Sequence, residues 1–136
     1  MKRDIPNIKL LGVFPGQLAP DFHATTLDGQ DLKLSDLGGK VVLIDFWATW
    51  CGPCVAELPN VKKAWEKYGD KGFVVVSISF DKRADTARAF AEKQGMKWPQ
   101  VWADNADKSD LAKLYNVSGI PATFLIGRDG KVAGVD

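Results

Sequence analysis

Two runs of β-branched and aromatic residues dominate the hydrophobic pattern of the chain. They are Val41 to Trp47 and Phe73 to Phe80, and each has the length of one β-strand. Their nearly continuous hydrophobicity is typical of strands that are covered on both faces, as in parallel sheets. Between them, apolar residues recur at three- and four-residue spacing over Val55 to Tyr68, with lysine and glutamate off that stripe. An amphipathic helix thus connects two strands, which predicts a parallel βαβ unit.

The rest of the chain continues the alternation of helices and strands. A helix is predicted over Ala84 to Gln94 and ends at Gly95. The other predicted elements are a short strand at Trp98 to Trp102, a short helix capped by Ser109, strands at Ala122 to Ile126 and Lys131 to Val135, and an N-terminal hairpin over Phe22 to Lys33. The pattern predicts a single α/β domain without an internal linker.

Composition and charge exclude several classes of protein. The 136 residues are 46% hydrophobic and 26% charged, and their net charge is +1. This balance excludes a disordered or fibrous chain and gives no electrostatic reason to expect nucleic acid as a partner. No apolar run approaches the roughly 18 residues that a membrane-spanning helix needs. Two cysteines and one histidine are too few for a four-ligand zinc site, and no cofactor or metal is expected.

The first 15 residues lack the pattern of a targeting signal. Lys2 and Arg3 are followed by a short apolar stretch that Lys9 interrupts, and no small-residue cleavage site follows. We interpret residues 1–15 as a leader or flexible segment and residues 16–136 as the folded domain. We expect neither a signal peptide nor a membrane anchor in this chain.

Both cysteines lie in one tetrapeptide, Cys51-Gly52-Pro53-Cys54, between the first long strand and the first helix. Pro53 suits the first helical position, because its φ is preset and its missing amide proton would have no partner there. Cys51 then lies at the helix N-terminus, where free amides and the helix dipole stabilise a thiolate. In such motifs the pKa of a cysteine falls from about 8.5 to between about 3.5 and about 7.5.

This asymmetry predicts different roles for the two thiols. Cys51 is expected to be exposed and activated, so that it attacks a substrate disulfide and forms a mixed disulfide. Cys54 is expected to be shielded and to resolve this intermediate by attacking Cys51, which closes the Cys51–Cys54 disulfide. The alternative is a static structural bridge, but a bridge that closes so short a loop stabilises a fold little.

The segment from Ile44 to Cys54 resembles the active-site stretch of thioredoxin-fold oxidoreductases. Three further motifs resemble TlpA/ResA-like proteins within the wider AhpC/TSA and redoxin group: Ala19-Pro20-Asp21-Phe22, Glu57-Leu58-Pro59 and Gly119-Ile120-Pro121-Ala122. The resemblance extends over about residues 16–136. It implies a thioredoxin-like domain with a central mixed β-sheet flanked by helices and an N-terminal β-hairpin.

The resemblance also implies roles for residues around the cysteines. Pro121 is expected to form a cis peptide bond beside the cysteine pair, and the backbone of Ile120 to pair with an incoming peptide. Asp45 is a candidate proton acceptor for Cys54, because burial raises the pKa of a carboxyl group. Glu57 is a candidate tuning acid, or else a solvated helix residue. The expected substrate-contact surface comprises Trp50, Gly52, Pro53, Ile120 and Pro121.

The family fold ordinarily adds a final helix after the last strand, whereas this chain stops at Asp136. We expect that helix to be absent from this chain and apolar sheet surface to be exposed in its place. The predicted consequence is lower stability or association into an oligomer.

These observations predict an enzyme, a protein thiol–disulfide oxidoreductase that acts as a reductant. Its partners would be protein thiols and disulfides and an upstream reductant, such as a membrane thiol-reducing system. The resemblance suggests an extracytoplasmic or periplasmic location and a process such as cytochrome c biogenesis. Two alternatives stay open: a thiol peroxidase of the peroxiredoxin kind, or a non-enzymatic copper-binding or interaction module on the same fold. A peroxidase would have threonine where Ala48 stands.

Overall fold

The computed structural model describes residues 13–106 and 111–136, which build one mixed β-sheet and the helices packed on it. The elements are β1 (His23–Thr26), β2 (Asp31–Lys33), a 3-10 helix (Leu34–Leu37), β3 (Val41–Trp47), α1 (Gly52–Tyr68), β4 (Phe73–Ser79), α2 (Ala84–Gln94), β5 (Gln100–Ala106), α3 (Leu111–Leu114), β6 (Ala122–Ile126) and β7 (Val132–Val135). The α/β class that the sequence predicts is confirmed.

The two long hydrophobic runs are neighbours at the centre of the sheet, whose strand order is β2-β1-β5-β4-β3-β6-β7. β3 and β4 are parallel and pair in register from Val41 opposite Phe73 to Trp47 opposite Ser79. β5 continues the parallel arrangement on the far side of β4, while β6 lies antiparallel to β3. The predicted βαβ unit is therefore present, with α1 connecting β3 to β4.

Alternate side chains of β3 enter two different hydrophobic clusters. Ile44 and Phe46 belong to a cluster with Tyr115 and Phe124, and the Phe46 ring lies 6.0 Å from each of those two rings, centroid to centroid. Trp47 belongs to the other cluster, which also contains both cysteines and residues of α1 and α2. Because successive strand residues face opposite sides, the central strand is buried on both faces.

The observed boundaries differ from the predicted ones at several ends. α1 begins at Gly52, three residues before the apolar stripe starts at Val55. β5 is longer than expected because it also pairs with the hairpin strand β1, with Ala24 opposite Ala106. Gly95 ends α2 in the left-handed conformation with φ 68°, as expected. The predicted cap Ser109 lies outside the described residues.

The packed part of the chain begins before the predicted boundary at residue 16. Val13 is 8% exposed and belongs to the larger cluster, so at least this residue of the expected leader packs against the domain. Gly16 then donates its amide hydrogen to the Val132 carbonyl at 2.8 Å, which ties the segment to β7. Residues 1–12 lie outside the described residues.

Apolar side chains lie open at the β6–β7 edge of the sheet. Leu125 is 38% exposed and Val135 is 46% exposed. Their register partners, Leu43 and Phe124, belong to different hydrophobic clusters, so the two exposed side chains lie on opposite faces of the sheet. The exposed sheet surface expected in place of a final helix, and its effects on stability and association, stay predictions. Over residues 13–106 and 111–136, none of the helices has the length and apolar character needed to cross a membrane.

The clusters predict which leucine side chains stabilise the fold. Leu111 of α3 is fully buried in the larger cluster, and Leu125 carries the same side chain at an exposed position. We expect Leu111→Ala to lower the free energy of unfolding by about 2–5 kcal/mol, because it removes buried methyl groups and leaves a cavity. Leu125→Ala is expected to cost less than half as much. Urea unfolding of the oxidised protein measures both, and equal losses would contradict the packing described here.

Candidate active site

The cysteines lie where β3 ends and α1 begins. Four residues, from Ala48 to Cys51, connect the two elements, and the Cys51 amide donates to the Ala48 carbonyl at 3.1 Å to close a turn. Cys51 is the N-cap of α1, with extended backbone angles of φ −90° and ψ 103°. The helix begins at Gly52, so Pro53 takes the second helical position rather than the predicted first. It still lies in the first turn, where amides lack helical partners.

Cys51 and Cys54 form a disulfide with a Cα–Cα distance of 5.2 Å. The Cys54 amide donates a hydrogen bond to Cys51 Sγ at 3.3 Å, so the N-cap contact that serine usually makes is here made by sulfur. An amide directed at a sulfur atom, at the positive end of a helix, stabilises negative charge on that atom. The geometry therefore distinguishes Cys51 from Cys54.

Exposure does not distinguish them, and the expectation that Cys51 is exposed is wrong. Cys51 is 5% exposed and Cys54 is 4% exposed. Cys51 is buried because its turn packs into the cluster that contains Trp47 and the fully buried Ala48. The two cysteines thus differ in their hydrogen bonding and not in their burial.

The surface beside the disulfide is exposed and partly aromatic. Trp50 is 66% exposed, and Gly52 and Pro53 are also exposed. Trp47, three residues before Trp50, is buried instead and packs its ring 5.5 Å from that of Phe90 on α2. The structure therefore places one tryptophan in the core and one at the surface.

The segment that leads into β6 lies beside the same junction. Ala122 pairs with Phe46 near the end of β3, so Ile120 and Pro121 reach the level of the turn that carries Cys51. Ile120 packs against the cluster that contains both cysteines, and the peptide bond between Ile120 and Pro121 is cis, as expected. Two segments distant in sequence, the turn that carries Cys51 and the segment of Ile120 and Pro121, thus lie together at one edge of the sheet.

Asp45 lies on β3 and is 6% exposed. Burial raises the pKa of its carboxyl group from 3.8 to about 6, and the negative charge of Glu57 on α1 adds to this rise. Its register partner on β4 is Ser77, so no lysine stands opposite it. Glu57 itself is exposed and accepts a hydrogen bond from Asn60 Nδ2 at 2.7 Å.

A second buried acid, Asp81, was missed by the sequence analysis. It lies two residues after the end of β4, is 4% exposed, and accepts hydrogen bonds from Thr49 in the turn before Cys51. The signal that could have found it is an aspartate at the carboxyl end of an apolar strand parallel to the strand that leads to the cysteines. His23 lies in the hairpin, with its Nε2 atom 3.4 Å from Asp31 Oδ1.

No group of three or more histidine, cysteine, aspartate or glutamate side chains comes together to hold a metal ion in the part of the chain that the structure describes. Of the potential metal ligands near the turn, the two cysteines are consumed by their disulfide.

Several known proteins are similar to this chain. The thiol-disulfide oxidoreductase ResA of Bacillus thuringiensis (strain Al Hakam) is 38% identical over 117 residues, which are 86% of this chain and 66% of that protein. The thioredoxin-like protein YneN of Bacillus subtilis (strain 168) is 37% identical over 130 residues, or 93% of this chain and 74% of that protein. The chain thus spans slightly less than two thirds of the length of that ResA.

A solved structure supports the same relationship. The thioredoxin domain of a thiol-disulfide oxidoreductase from Bacteroides vulgatus matches with a TM-score of 0.81 at 31% identity, over 92% of this chain and 89% of that one. Residues 15–135 match the AhpC/TSA family. With a thioredoxin-like fold, a Cys-x-x-Cys disulfide at the start of α1 and relatives that are thiol–disulfide oxidoreductases, this chain belongs to the AhpC/TSA family.

Proposed function

We propose that this protein is a thiol–disulfide oxidoreductase that exchanges the Cys51–Cys54 dithiol and disulfide with disulfides of protein substrates. The observation that carries the proposal is the disulfide at the N-terminus of α1, with the Cys54 amide donating to Cys51 Sγ. The similar ResA proteins are named thiol-disulfide oxidoreductases, which supports the same reaction class.

The reaction proceeds in two thiol–disulfide exchanges. In the reduced protein, the Cys51 thiolate attacks one sulfur of a substrate disulfide, which forms a mixed disulfide and releases the other substrate sulfur as a thiolate. Cys54 then loses its proton and attacks Cys51 Sγ, which releases the second substrate thiol and closes the bridge. Two electrons pass from the cysteine pair to the substrate, and an upstream reductant must return them.

Cys51 is the nucleophile in this proposal because its sulfur receives the helix amide. A thiolate accepting an N–H at a helix N-terminus has a lowered pKa, so a larger fraction of it is reactive near neutral pH. Cys54 lies inside the first turn, where it can reach only the neighbouring sulfur. The low exposure of Cys51 means that a substrate must approach along the surface of Trp50, Pro53 and Pro121.

This surface suits an extended segment of an unfolded or flexible protein. Trp50 offers a large exposed aromatic face, and Pro121 is exposed beside the half-buried Ile120. An extended client chain can pair with the backbone at Ile120 while its disulfide lies over Cys51. We therefore propose protein disulfides, rather than small disulfide molecules, as the substrates.

We propose that the protein works as a reductant, with a membrane thiol-reducing system as the source of electrons. The residues between the cysteines, Gly52 and Pro53, resemble those of the reducing members of the thioredoxin group. Extracytoplasmic location follows from the same resemblance and belongs to this proposal.

Asp45 is proposed to accept the proton of Cys54 during the second exchange. Its side chain lies on the face of β3 that α1 covers, since it is two residues before Trp47 along the strand. With a pKa raised to about 6, the carboxyl group is ionised near neutral pH and yet basic enough to take a proton. Glu57 tunes this property through its charge.

The peroxidase alternative receives less support from the described arginines. A peroxidase needs an arginine beside its reactive cysteine, but Arg88 binds the Leu27 carbonyl and Asp85, and Arg128 binds the carbonyls of Gly39 and Lys71. These contacts direct two of the three described arginines to partners outside the β3–α1 turn, and the third, Arg83, lies 3.6 Å from the carboxyl group of Asp85. If the protein consumed peroxide and did not reduce disulfides, this result would contradict the proposed disulfide exchange and favour the peroxidase alternative.

Single cysteine substitutions test the assignment of the two roles. We expect reduced Cys54→Ser to form a stable mixed disulfide with a model substrate such as insulin, because the resolving thiol is absent. Reduced Cys51→Ser is expected to form at least about tenfold less of this adduct, since its remaining thiol lacks the helix amide. Non-reducing electrophoresis and intact mass measure the adducts. Equal trapping by both variants would contradict the assignment.

The pKa of Asp45 predicts a stability effect that depends on pH. The folded protein binds a proton at Asp45 up to about pH 6, while the unfolded chain releases it near pH 3.8, so ionisation of Asp45 destabilises the fold as the pH rises through this window. Asp45→Asn should therefore stabilise the oxidised protein by about 3 kcal/mol at pH 7.5 and hardly at all at pH 3.5.

Urea unfolding at the two pH values checks this expectation. Asp70→Asn serves as the control, because Asp70 is exposed on the loop between α1 and β4, and its effect should stay within about 0.5 kcal/mol at both pH values. A gain for Asp45→Asn that is the same at pH 3.5 and pH 7.5 would show that ionisation is not its cause.

A further inference from the structure

A buried carboxyl group stands beside the turn that carries Cys51. Asp81 is 4% exposed and follows the end of β4, the parallel neighbour of the strand that leads to the cysteines. A carboxyl group in such a place is costly unless donors surround it. The hydrogen-bond donors around Asp81 show which part of the chain its carboxyl group holds in place.

Thr49 contributes two of these donors. Its amide lies 3.2 Å from each carboxyl oxygen of Asp81, and its hydroxyl donates to Oδ1 at 2.7 Å. Ser79 contributes the third, with its hydroxyl donating to Oδ2 at 2.6 Å while accepting from the Asp81 amide at 3.0 Å. The carboxyl group is thus held between the end of its own strand and the turn.

The backbone of Asp81 is fixed from a third side. Trp102 on β5 donates its indole N–H to the Asp81 carbonyl at 2.7 Å. One residue earlier, the Phe80 amide donates to the Trp47 carbonyl at 2.8 Å, which extends the β3–β4 pairing by one step. Asp81 therefore belongs to the rigid frame of the sheet, and Thr49 is attached to that frame.

Thr49 lies inside the turn that orients Cys51. The turn is closed by the Cys51 amide on the Ala48 carbonyl, so Thr49 is its second residue and Cys51 its last. The position of Cys51 Sγ relative to the Cys54 amide depends on this turn, because Cys51 is both the end of the turn and the N-cap of α1.

We propose that Asp81 is a positioning residue for the redox cysteine: by holding Thr49, it fixes the turn that presents Cys51 Sγ to the open amides of α1. This inference rests on the proposed function, in which the Cys51 thiolate is the nucleophile. Asp81 acts through Thr49 and takes no part in the exchange of sulfur bonds.

Two substitutions separate the hydrogen bonds of Asp81 from its charge. Thr49→Val removes the hydroxyl donor and changes no charge. Asp81→Asn removes the charge and places an N–H₂ group where an acceptor is needed. Thr49→Ser keeps the hydroxyl and is expected to behave like the wild type.

Alkylation of the reduced full chain by iodoacetamide from pH 4 to pH 9, with the modified site identified by mass spectrometry, measures the reactivity of Cys51. We expect Thr49→Val and Asp81→Asn to slow the alkylation of Cys51 at pH 6 about tenfold, which corresponds to a pKa raised by about one pH unit. Tyr115→Phe is the control for a merely structural loss, because it removes a partly buried hydrogen bond to the Pro20 carbonyl at 2.6 Å on the other face of the sheet. Its Cys51 profile should equal that of the wild type.

The outcomes separate this inference from the proposed function. Wild-type pH profiles in Thr49→Val and in a folded Asp81→Asn would overturn the role of Asp81 alone. Faster alkylation in Asp81→Asn, with Thr49→Val unchanged, would also overturn it, because the carboxyl group would then act only through its charge. If Asp81→Asn does not fold, the comparison of Thr49→Val with Thr49→Ser decides. A wild-type Cys51 that titrates near 8.5 would instead count against the proposed function.

Discussion

The passage from β3 to α1 imposes the constraint on which the site depends. Within the four residues from Ala48 to Cys51, a strand buried on both faces must end and a helix with open amides must begin. If this turn changed shape, Cys51 Sγ would leave the Cys54 amide, and the stabilisation of a thiolate by the helix end would be lost. Such stabilisation decays within the first turn of a helix, so it requires a turn that is held in one geometry.

The sheet supplies the parts that hold this turn. Because β3 and β4 are parallel, their carboxyl ends lie at the same edge, which brings Asp81 to Thr49. Because β6 is antiparallel to β3, its amino end reaches that same edge and places the segment of Ile120 and Pro121 there. Because the sheet mixes parallel and antiparallel strands, the cysteine pair, Asp81 and the segment of Ile120 and Pro121 lie at one edge, although they are up to about 70 residues apart in the sequence.

Whether a feature could be predicted from the sequence depends on how far apart along the chain the interacting residues lie. The strand over Val41 to Trp47 and the helix start at Cys51 depend on local signals, and both are present as expected. The burial of Cys51 depends on packing against residues of other elements, and no local sequence pattern predicts it. The contact of Asp81 with Thr49 joins residues 32 positions apart, and the pairing of β5 with β1 joins Ala106 to Ala24. The environment of Pro121 was expected from the family resemblance and not from the chain's own periodicity.

The two buried aspartates near the disulfide, Asp45 and Asp81, have different properties because their surroundings differ. Asp81 meets three donors, and a carboxyl group so engaged is suited to fix geometry. For Asp45, burial raises the pKa to about 6, and a carboxyl group that titrates there is suited to move a proton near neutral pH. If these environments were exchanged, both properties would be lost. A carboxylate that accepts several hydrogen bonds is a weak base, and a carboxylate without hydrogen-bond donors around it cannot hold a neighbouring turn in place. In the proposed mechanism the two acids serve the same sulfur pair by different physical means, Asp45 from within β3 and Asp81 from the segment that follows β4.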